Sequence, residues 1–412
     1  MEHENEMGFL QRIAAGRFAV LWLATALSFV TGEITKLLFP LLAADLTRSP
    51  FKVSLVVFAL SAPWLVASLP AGALVDRLDR RGILLGVNAA RVAVLASLAL
   101  LWSLDVVSLP LLALAAFAYG ISETFIEPTT QAITPMVVPR DGLERANTHL
   151  IGVQMTVEVL ATPLGGALAA IGLAVGLASG SIGFALAFGT LLLLRGSYRP
   201  ARTERRHLAG EIADGVRFLW RQPLLRTIAL MAAVINGCWT GWAAVFVLYA
   251  VEPGPMGLST FEYGLVLTGG GIGGIIGTLL AAPVSRRFGR RWNIGINIIG
   301  NAIGFGAAAF TTNPILIGLA VIVGAIGGPM WGIAATSLQQ RIVPDELRGR
   351  VSAVYRFIGF GALSLGALLG GLLAELLGLR AVFAITAGLT LLTFVPFARV
   401  VTEVRMRDAP VS

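Results

Sequence analysis

Seven ionisable residues stand inside long apolar runs of the sequence: Glu33, Lys36, Arg91, Glu123, Glu127, Glu158 and Arg356. A charge at mid-bilayer is costly, so such residues mark a pathway, a relay or a buried pair. Only Arg356 belongs to the second half of the chain. Residues three or four apart stack on one side of a helix. Glu33 and Lys36 therefore share a face with Thr25, Ser28 and Gly32; Glu123 and Glu127 with Tyr119, Thr130 and Thr134; Glu158 with Gln154 and Thr162. Three polar stripes facing lipid would be prohibitive, and they are expected to converge on a shared aqueous cavity. Two carboxylates one turn apart, such as Glu123 and Glu127, repel when both are ionised, which suits loading a proton on one side of a barrier and releasing it on the other. Glu33, Glu123, Glu127 and Glu158 are thus the candidate proton-coupling groups. Glu33 can instead neutralise Lys36 or meet a cationic cargo. Arg91 is expected to be a structural counter-ion, with Glu158 one option as its partner, and Arg356 can pair, bind an anionic cargo or snorkel.

The second half offers aromatic and amide groups instead: Asn236, Trp239, Trp242 and Phe246, then Trp331, Tyr355 and Phe360. Broad apolar surfaces with few hydrogen-bond donors suit a bulky amphipathic cargo better than a sugar. With Glu33 and Arg356, the residues Asn236, Trp239, Trp242, Trp331 and Tyr355 form the candidate substrate-binding set. Catalysis has no support. Gly269, Gly271 and Gly274 fit G-x-G-x-x-G only on paper, because that motif needs a preceding strand and an acidic ribose contact, whereas here small residues permit close helix contact within a membrane. No Walker lysine or nucleophile elbow appears, His3, His149 and His207 sit in or beside loops, and no metal-ligand spacing exists. No cofactor is expected beyond a proton gradient, and no nucleic-acid partner.

The elements that carry these residues must be membrane helices. The 412 residues are 56% hydrophobic and 13% charged, too few polar groups to coat a water-soluble surface. At about 20 apolar residues per crossing, twelve spans are predicted: 18–42, 51–75, 82–104, 108–138, 147–170, 172–194, 227–251, 260–285, 292–311, 314–338, 350–376 and 379–400. The boundary between the fifth and sixth rests on Gly172 and Gly176 alone. Basic residues set the orientation. With the N-terminus in the cytoplasm, 25 of them lie in inside segments and three outside, Arg48, Lys52 and Arg380, so both ends are expected inside. The start carries Glu2, Glu4 and Glu6 and does not read as a secretory signal peptide. One cysteine, Cys238, excludes an intrachain disulfide.

The hydrophilic stretch from Arg195 to Arg226 divides the chain into a six-span bundle over residues 1–198, a cytoplasmic connecting loop over 199–225 and a second bundle over 226–412. The halves repeat: Val138-Pro139, Arg145 and Gly165-Gly166 recur at an offset of 205 as Val343-Pro344, Arg350 and Gly370-Gly371. The turn Asp79-Arg80-Arg81 recurs as Gly289-Arg290-Arg291. Two such halves are related by an axis along the membrane normal, an all-α architecture of transporters with the substrate path between the bundles.

The segment Gly72-Ala-Leu-Val-Asp76-Arg77-Leu-Asp79-Arg80-Arg81 resembles the major facilitator signature G-x-L-x-D-R-x-G-R-R, with Asp79 in place of the glycine. Ala161-Thr162-Pro163-Leu164-Gly165-Gly166 is similar to the antiporter signature, with Thr162 in place of a glycine. Gly215 to Arg226 and Val343 to Val351 resemble the branch that holds macrolide-efflux and enterobactin-export proteins. The resemblance implies the major facilitator fold, proton-driven export, and a cytoplasmic latch at Asp76, Arg77, Arg80, Arg81 and Arg145. The expectation is a monomeric, proton-coupled drug exporter of the bacterial cytoplasmic membrane. Its rivals are a dedicated exporter of one endogenous metabolite such as a siderophore, and a non-transporting receptor or lipid scramblase.

Overall fold

Inside a bilayer a chain can satisfy its backbone only as helix or closed barrel, and among the described residues every regular element is a helix. The structure, a computed structural model, describes residues 2–139, 142–199 and 208–402. Arg140, the connecting residues 200–207 and the tail from residue 403 lie outside them. The order is α1 (Glu2–Leu46), α2 (Pro50–Ser61), α3 (Pro63–Val66), α4 (Ser68–Val75), α5 (Arg80–Ser103), α6 (Leu109–Val137), α7 (Leu143–Ile171) and α8 (Leu173–Leu192). After the connection come α9 (Leu208–Arg221), α10 (Pro223–Ala250), α11 (Thr260–Phe288), α12 (Arg291–Phe310), α13 (Pro314–Ile342), α14 (Asp345–Leu377), α15 (Leu379–Leu392) and α16 (Phe394–Val400).

Eleven helices among the described residues are long and apolar enough to cross a membrane. The expected second span is present but broken into α2, α3 and α4, since Pro63 and Pro70 supply no backbone N–H and crowd the preceding turn. The last span is interrupted at Thr393, where Pro396 cannot bond to the Leu392 carbonyl. Gly172 does separate the fifth and sixth spans. The order and number of helices are those that the resemblance to the major facilitator family implies. The connection differs from the expected loop: it contains α9, which buries Leu219 completely and sets Gly215 so close to α14 that an added Cβ would stand 2.8 Å from the Arg350 carbonyl oxygen. Asp214 accepts a hydrogen bond from Arg350 at 3.2 Å.

The sequence repeat does equivalent work in each half. In α7, Gly165 packs against Leu37 and Ile34 of α1, while Gly166 meets Thr260 and Gly264 of α11 in the other half. In α14, Gly370 packs against Gly241 of α10, and Gly371 against Ser54 and Pro50 of α2 in the other half. These paired seams, α7 on α11 and α14 on α2, seal the bundle at the end away from the arginine-rich turns. Thr162, where the antiporter signature has glycine, is 3.3 Å from the Thr268 hydroxyl across the first seam.

The two copies of the arginine turn solve one problem differently. Gly289 has φ +92°, in the region that favours glycine. Asp79 keeps φ −66° and caps α5, its carboxylate accepting from the backbone N–H of Gly82 at 2.9 Å. It also accepts from Tyr198 N–H at 2.7 Å and the Ser197 hydroxyl at 3.0 Å, tying α5 to the segment after α8. Burial alone would raise the pKa of Asp79, but these bonds and one from the Arg81 backbone outweigh it and hold the carboxyl below its ordinary range. A depressed folded value gives stability that is full above the unfolded pKa of ~3.9 and lost as pH falls through the folded value. Asp79→Ala is expected to cost about 1 kcal/mol at neutral pH, and the gap to wild type should narrow as detergent-solubilised protein is melted between about pH 5 and about pH 3. A gap that stays constant over that range would refute the linkage.

Candidate functional site

Between the halves lies a cavity of about 1150 Å³, slightly larger than the usual range of drug-sized ligand sites. Its first-half wall carries Glu33 of α1, Glu127 and Gln131 of α6, and Glu158 and Thr162 of α7. Its second-half wall carries Asn236, Trp239 and Trp242 of α10, Asn297, Asn301 and Phe305 of α12, Trp331 and Gln339 of α13, and Tyr355, Arg356 and Phe360 of α14. The structure thus brings together nine of the expected residues: Glu33, Glu127, Glu158, Asn236, Trp239, Trp242, Trp331, Tyr355 and Arg356. Trp239 is exposed to the cavity and stacks at 5.6 Å on Trp242, which is itself buried. Trp331 donates to the Tyr355 hydroxyl at 3.1 Å, and Asn236 to the Gly359 carbonyl at 3.1 Å.

Four amides were not anticipated: Gln131, Asn297, Asn301 and Gln339. The signal was legible, because Asn293, Asn297 and Asn301 recur every fourth residue along α12 and so share a face. With Asn236 they give the cavity more hydrogen-bonding capacity than aromatics alone.

Glu123 corrects the expectation of a repelling carboxylate pair. It is not a lining residue. It forms an ion pair with Arg91, whose side chain is 1% exposed, donates to Ser122 at 2.7 Å and Ser28 at 3.3 Å, and lies over the rings of Phe184 and Tyr119 at 4.9 and 5.0 Å. Ser28 in turn donates to Asn88 at 3.3 Å. The polar stripes of α1 and α6 therefore converge largely on this guanidinium inside the first half, and only Glu33 and Glu127 extend to the cavity. A buried cation needs compensating groups on every open side, which is why Ser28 and Ser122 turn their hydroxyls, and Tyr119 its ring face, toward it. Arg91's carboxylate partner is Glu123, not Glu158.

The other carboxylates have different surroundings. Glu33 pairs with Lys36 one turn away. Glu127 accepts from Gln131 at 3.1 Å and faces Arg356 of the other half at 3.9 Å. Glu158 carries neither an ion pair nor a hydrogen bond among the described residues, and its carboxylate would be 3.5 Å from a Cβ on Gly274 of α11. It stands where the cavity meets the α7–α11 seam.

The expected latch residues are not assembled. Asp76 and Arg77 are exposed at the end of α4, Arg145 is exposed on α7, and the Asp76 carboxylate has no partner among the described residues. Arg80 reaches Met136, and Arg81 donates to the carbonyls of Leu191 and Leu192 at 3.4 and 3.3 Å, all within the first half.

The model of the transmembrane secretion effector family matches residues 9–410. The multidrug efflux pump Tap of Mycolicibacterium fortuitum is 31% identical over 377 residues, covering 88% of this chain and 91% of that protein. The enterobactin exporter EntS of Shigella boydii is 26% identical over 407 residues, covering 95% and 94%. Among solved structures, the nucleoside transporter NupG superposes with a TM-score of 0.76 at 14% identity, over 95% of this chain and 99% of that one. A bacterial homologue of the iron transporter ferroportin, in an inward-facing state, gives 0.72 at 17%, over 93% and 98%. These are transporters, not enzymes.

The Arg91 network makes a direct prediction. Arg91→Met leaves Glu123 without its counter-ion and should cost roughly 3–5 kcal/mol, read as a large drop in the melting temperature of the solubilised protein. Arg91→Met combined with Glu123→Leu should recover most of that loss. Equal melting of wild type and Arg91→Met would remove the ion pair from any structural role.

Proposed function

The chain belongs to the transmembrane secretion effector family of major facilitator transporters, and on that premise we propose that it exports lipophilic or amphipathic small molecules in exchange for protons. The distribution of arginines supports a cytoplasmic location for both termini, in the cytoplasmic membrane of a bacterium. With that orientation the seams on the far side close the outer face and the cavity faces the cytoplasm, a state poised to take up cargo. Both walls come from one chain, so a monomer suffices. The naming of one relative as a multidrug efflux pump supports a broad cargo range, and the aromatic wall of Trp239, Trp331 and Phe360 suits flat apolar bodies.

One observation carries the coupling: the unpartnered Glu158 at the edge of the seam between the halves. A neutral carboxylic acid can pack against glycine backbone, whereas a carboxylate needs water or a cation. Cargo bearing a basic nitrogen and a proton therefore compete for the same oxygens. Opening the outer seam exposes Glu158 to the outside, where a proton displaces the cargo; opening the inner side lets the proton leave and new cargo enter. Glu33 and Glu127 shape the field of the same wall. A second reading, the export of one oxygen-rich metabolite such as a siderophore, is favoured by the amide wall of Asn236, Asn297 and Asn301 and by the relative named as an enterobactin exporter.

Everted vesicles with a pH-sensitive dye and a cargo panel test this reading. Glu158→Gln should abolish proton efflux driven by cationic cargo while leaving the protein inserted and its melting temperature within a few degrees of wild type. Unaltered dye responses would remove Glu158 from coupling. Resistance to several unrelated drugs on expression would argue against a dedicated exporter.

The latch yields a separate expectation. Closing the cytoplasmic side should bring Asp76 to the start of α14, where the N–H groups of Asp345 and Glu346 open the helix and Arg348 and Arg350 carry guanidinium donors. Asp76→Asn should then bias the protein toward the inward-open state, increasing labelling of single cysteines placed in the cytoplasmic vestibule of a Cys238→Ser background. Unchanged labelling would leave Asp76 as a marker of topology alone.

A further inference from the structure

The helix α9 has two faces, and transport accounts for neither. One is fixed to the second half: Gly215 lies on the Arg350 backbone, Asp214 bonds Arg350, and the fully buried Leu219 joins Leu224, Leu225, Ile228, Val351 and Val354 in one apolar cluster. The other face is open. At ~100° per residue, positions 213, 216, 217, 220 and 221 fall within an arc of about 140°. Val216 is 40% exposed and Trp220 49%, and Ala213, Arg217 and Arg221 are exposed as well. Within the arc the apolar residues occupy one edge and the two arginines the other.

The depth of this face follows from its neighbours. A Cβ on Gly215 would be 3.1 Å from Val354, about a turn into the apolar run of α14, and α10 enters the membrane at Pro223, two residues beyond α9. Arg226 of α10 donates to the Trp220 carbonyl at 3.3 Å and fixes the angle between the two helices. An exposed tryptophan at that depth occupies the aromatic belt. Its neighbours Arg217 and Arg221 stand where lipid phosphates lie, and a helix with an apolar edge and a basic edge is the pattern of an interfacial anchor.

We propose that the outer face of α9 is a docking surface for anionic phospholipid of the leaflet it borders, with Val216 and Trp220 seated among acyl chains and Arg217 and Arg221 on the headgroups. The occupant is chosen by charge: the polar groups of this arc are cationic, and Asp214, the described carboxylate of the helix, bonds Arg350 at 3.2 Å and lies 3.9 Å from Arg217 in a solvent-exposed pair weak enough for a headgroup to displace. The surface rests on the fold and not on the export reading, so either can fail alone.

Protein is reconstituted into phosphatidylcholine vesicles with and without phosphatidylglycerol, using dibrominated forms of each lipid to quench tryptophan. The difference in quenching between wild type and Trp220→Phe isolates Trp220. Dibrominated phosphatidylglycerol should quench it several-fold more than dibrominated phosphatidylcholine at the same mole fraction. Arg217→Gln with Arg221→Gln should abolish that preference, each arginine being worth about fivefold. A nitroxide on Ala213→Cys in Cys238→Ser should relax faster with oxygen than with a water-soluble nickel chelate. Equal quenching by the two lipids, or a nitroxide as open to the chelate as a loop site, overturns the proposal. So does a Trp220 that lipid cannot quench and a cytosolic protein covers instead.

Discussion

The cost of an ion in a low-dielectric interior governs where every membrane charge of this protein sits. Removing a charge from water costs several kcal/mol unless an opposite charge and further hydrogen bonds replace the lost solvent. Arg91 obtains all of these: a carboxylate, two hydroxyls and two aromatic faces. Those partners come from α1, α6 and α8, so one guanidinium carried by α5 fixes how four helices of the first half pack. The remaining carboxylates are then sorted by what is left. Glu33 takes Lys36, Glu127 takes Arg356 through solvent-exposed side chains, and Glu158 is left to the cavity.

Rigid halves are useful only if the contact between them can break. The α7–α11 seam is suited to that because backbone approaches backbone at Gly166, Gly264 and Gly271, while on the other side the ring of Trp64 packs on Phe360 of α14 at 4.9 Å. The polar links of the α7–α11 seam are neutral, Thr162 with Thr268 and Thr260 with the Gly166 carbonyl, both at 3.3 Å, whereas at the solvent-exposed edge of the α14–α2 seam the Glu375 carboxylate accepts from the Ser49 hydroxyl at 2.9 Å and the Phe51 N–H at 3.3 Å. Neutral hydrogen bonds contribute about 1 kcal/mol each once water can replace them. The interfaces that must persist are of another kind, such as the charged core around Arg91 and the aromatic stack running from Trp239 through Trp242 to Phe246. What moves and what holds is thus set by residue chemistry rather than by contact area.

The helical spans and nine of the residues that line the cavity were legible in the sequence, because helical periodicity and the cost of intramembrane charge are local rules. Three features were not. The partner of Glu123 lies 32 residues away on another helix, and periodicity alone cannot tell a stripe that faces a cavity from one that faces a buried cation. The breaks at Pro63 and Pro70 interrupt hydrogen bonding without changing hydropathy, so the second span read as continuous. The α9 segment was charged enough to pass for a loop, although Leu219, set four residues after Gly215, is an anchor at helical spacing. Asp79 illustrates the converse: a departure from a family pattern supplies a cap the glycine copy lacks.

Glu123 and Glu127 set the division of labour most plainly. They are the same residue type, one turn apart on α6, and a rule based on type and spacing treats them as a pair. Glu123 faces inward to a cation that is 1% exposed, and breaking that pair would strand a charge. Glu127 faces a cation of the other half, at 3.9 Å, with side chains 43% and 49% exposed, and an ion pair so solvated contributes at most about 1 kcal/mol. A cargo or a conformational step can separate Glu127 from Arg356 at that small cost, but not Glu123 from Arg91. The first half therefore keeps its charge framework while the interface between the halves rearranges, a combination that alternating access requires.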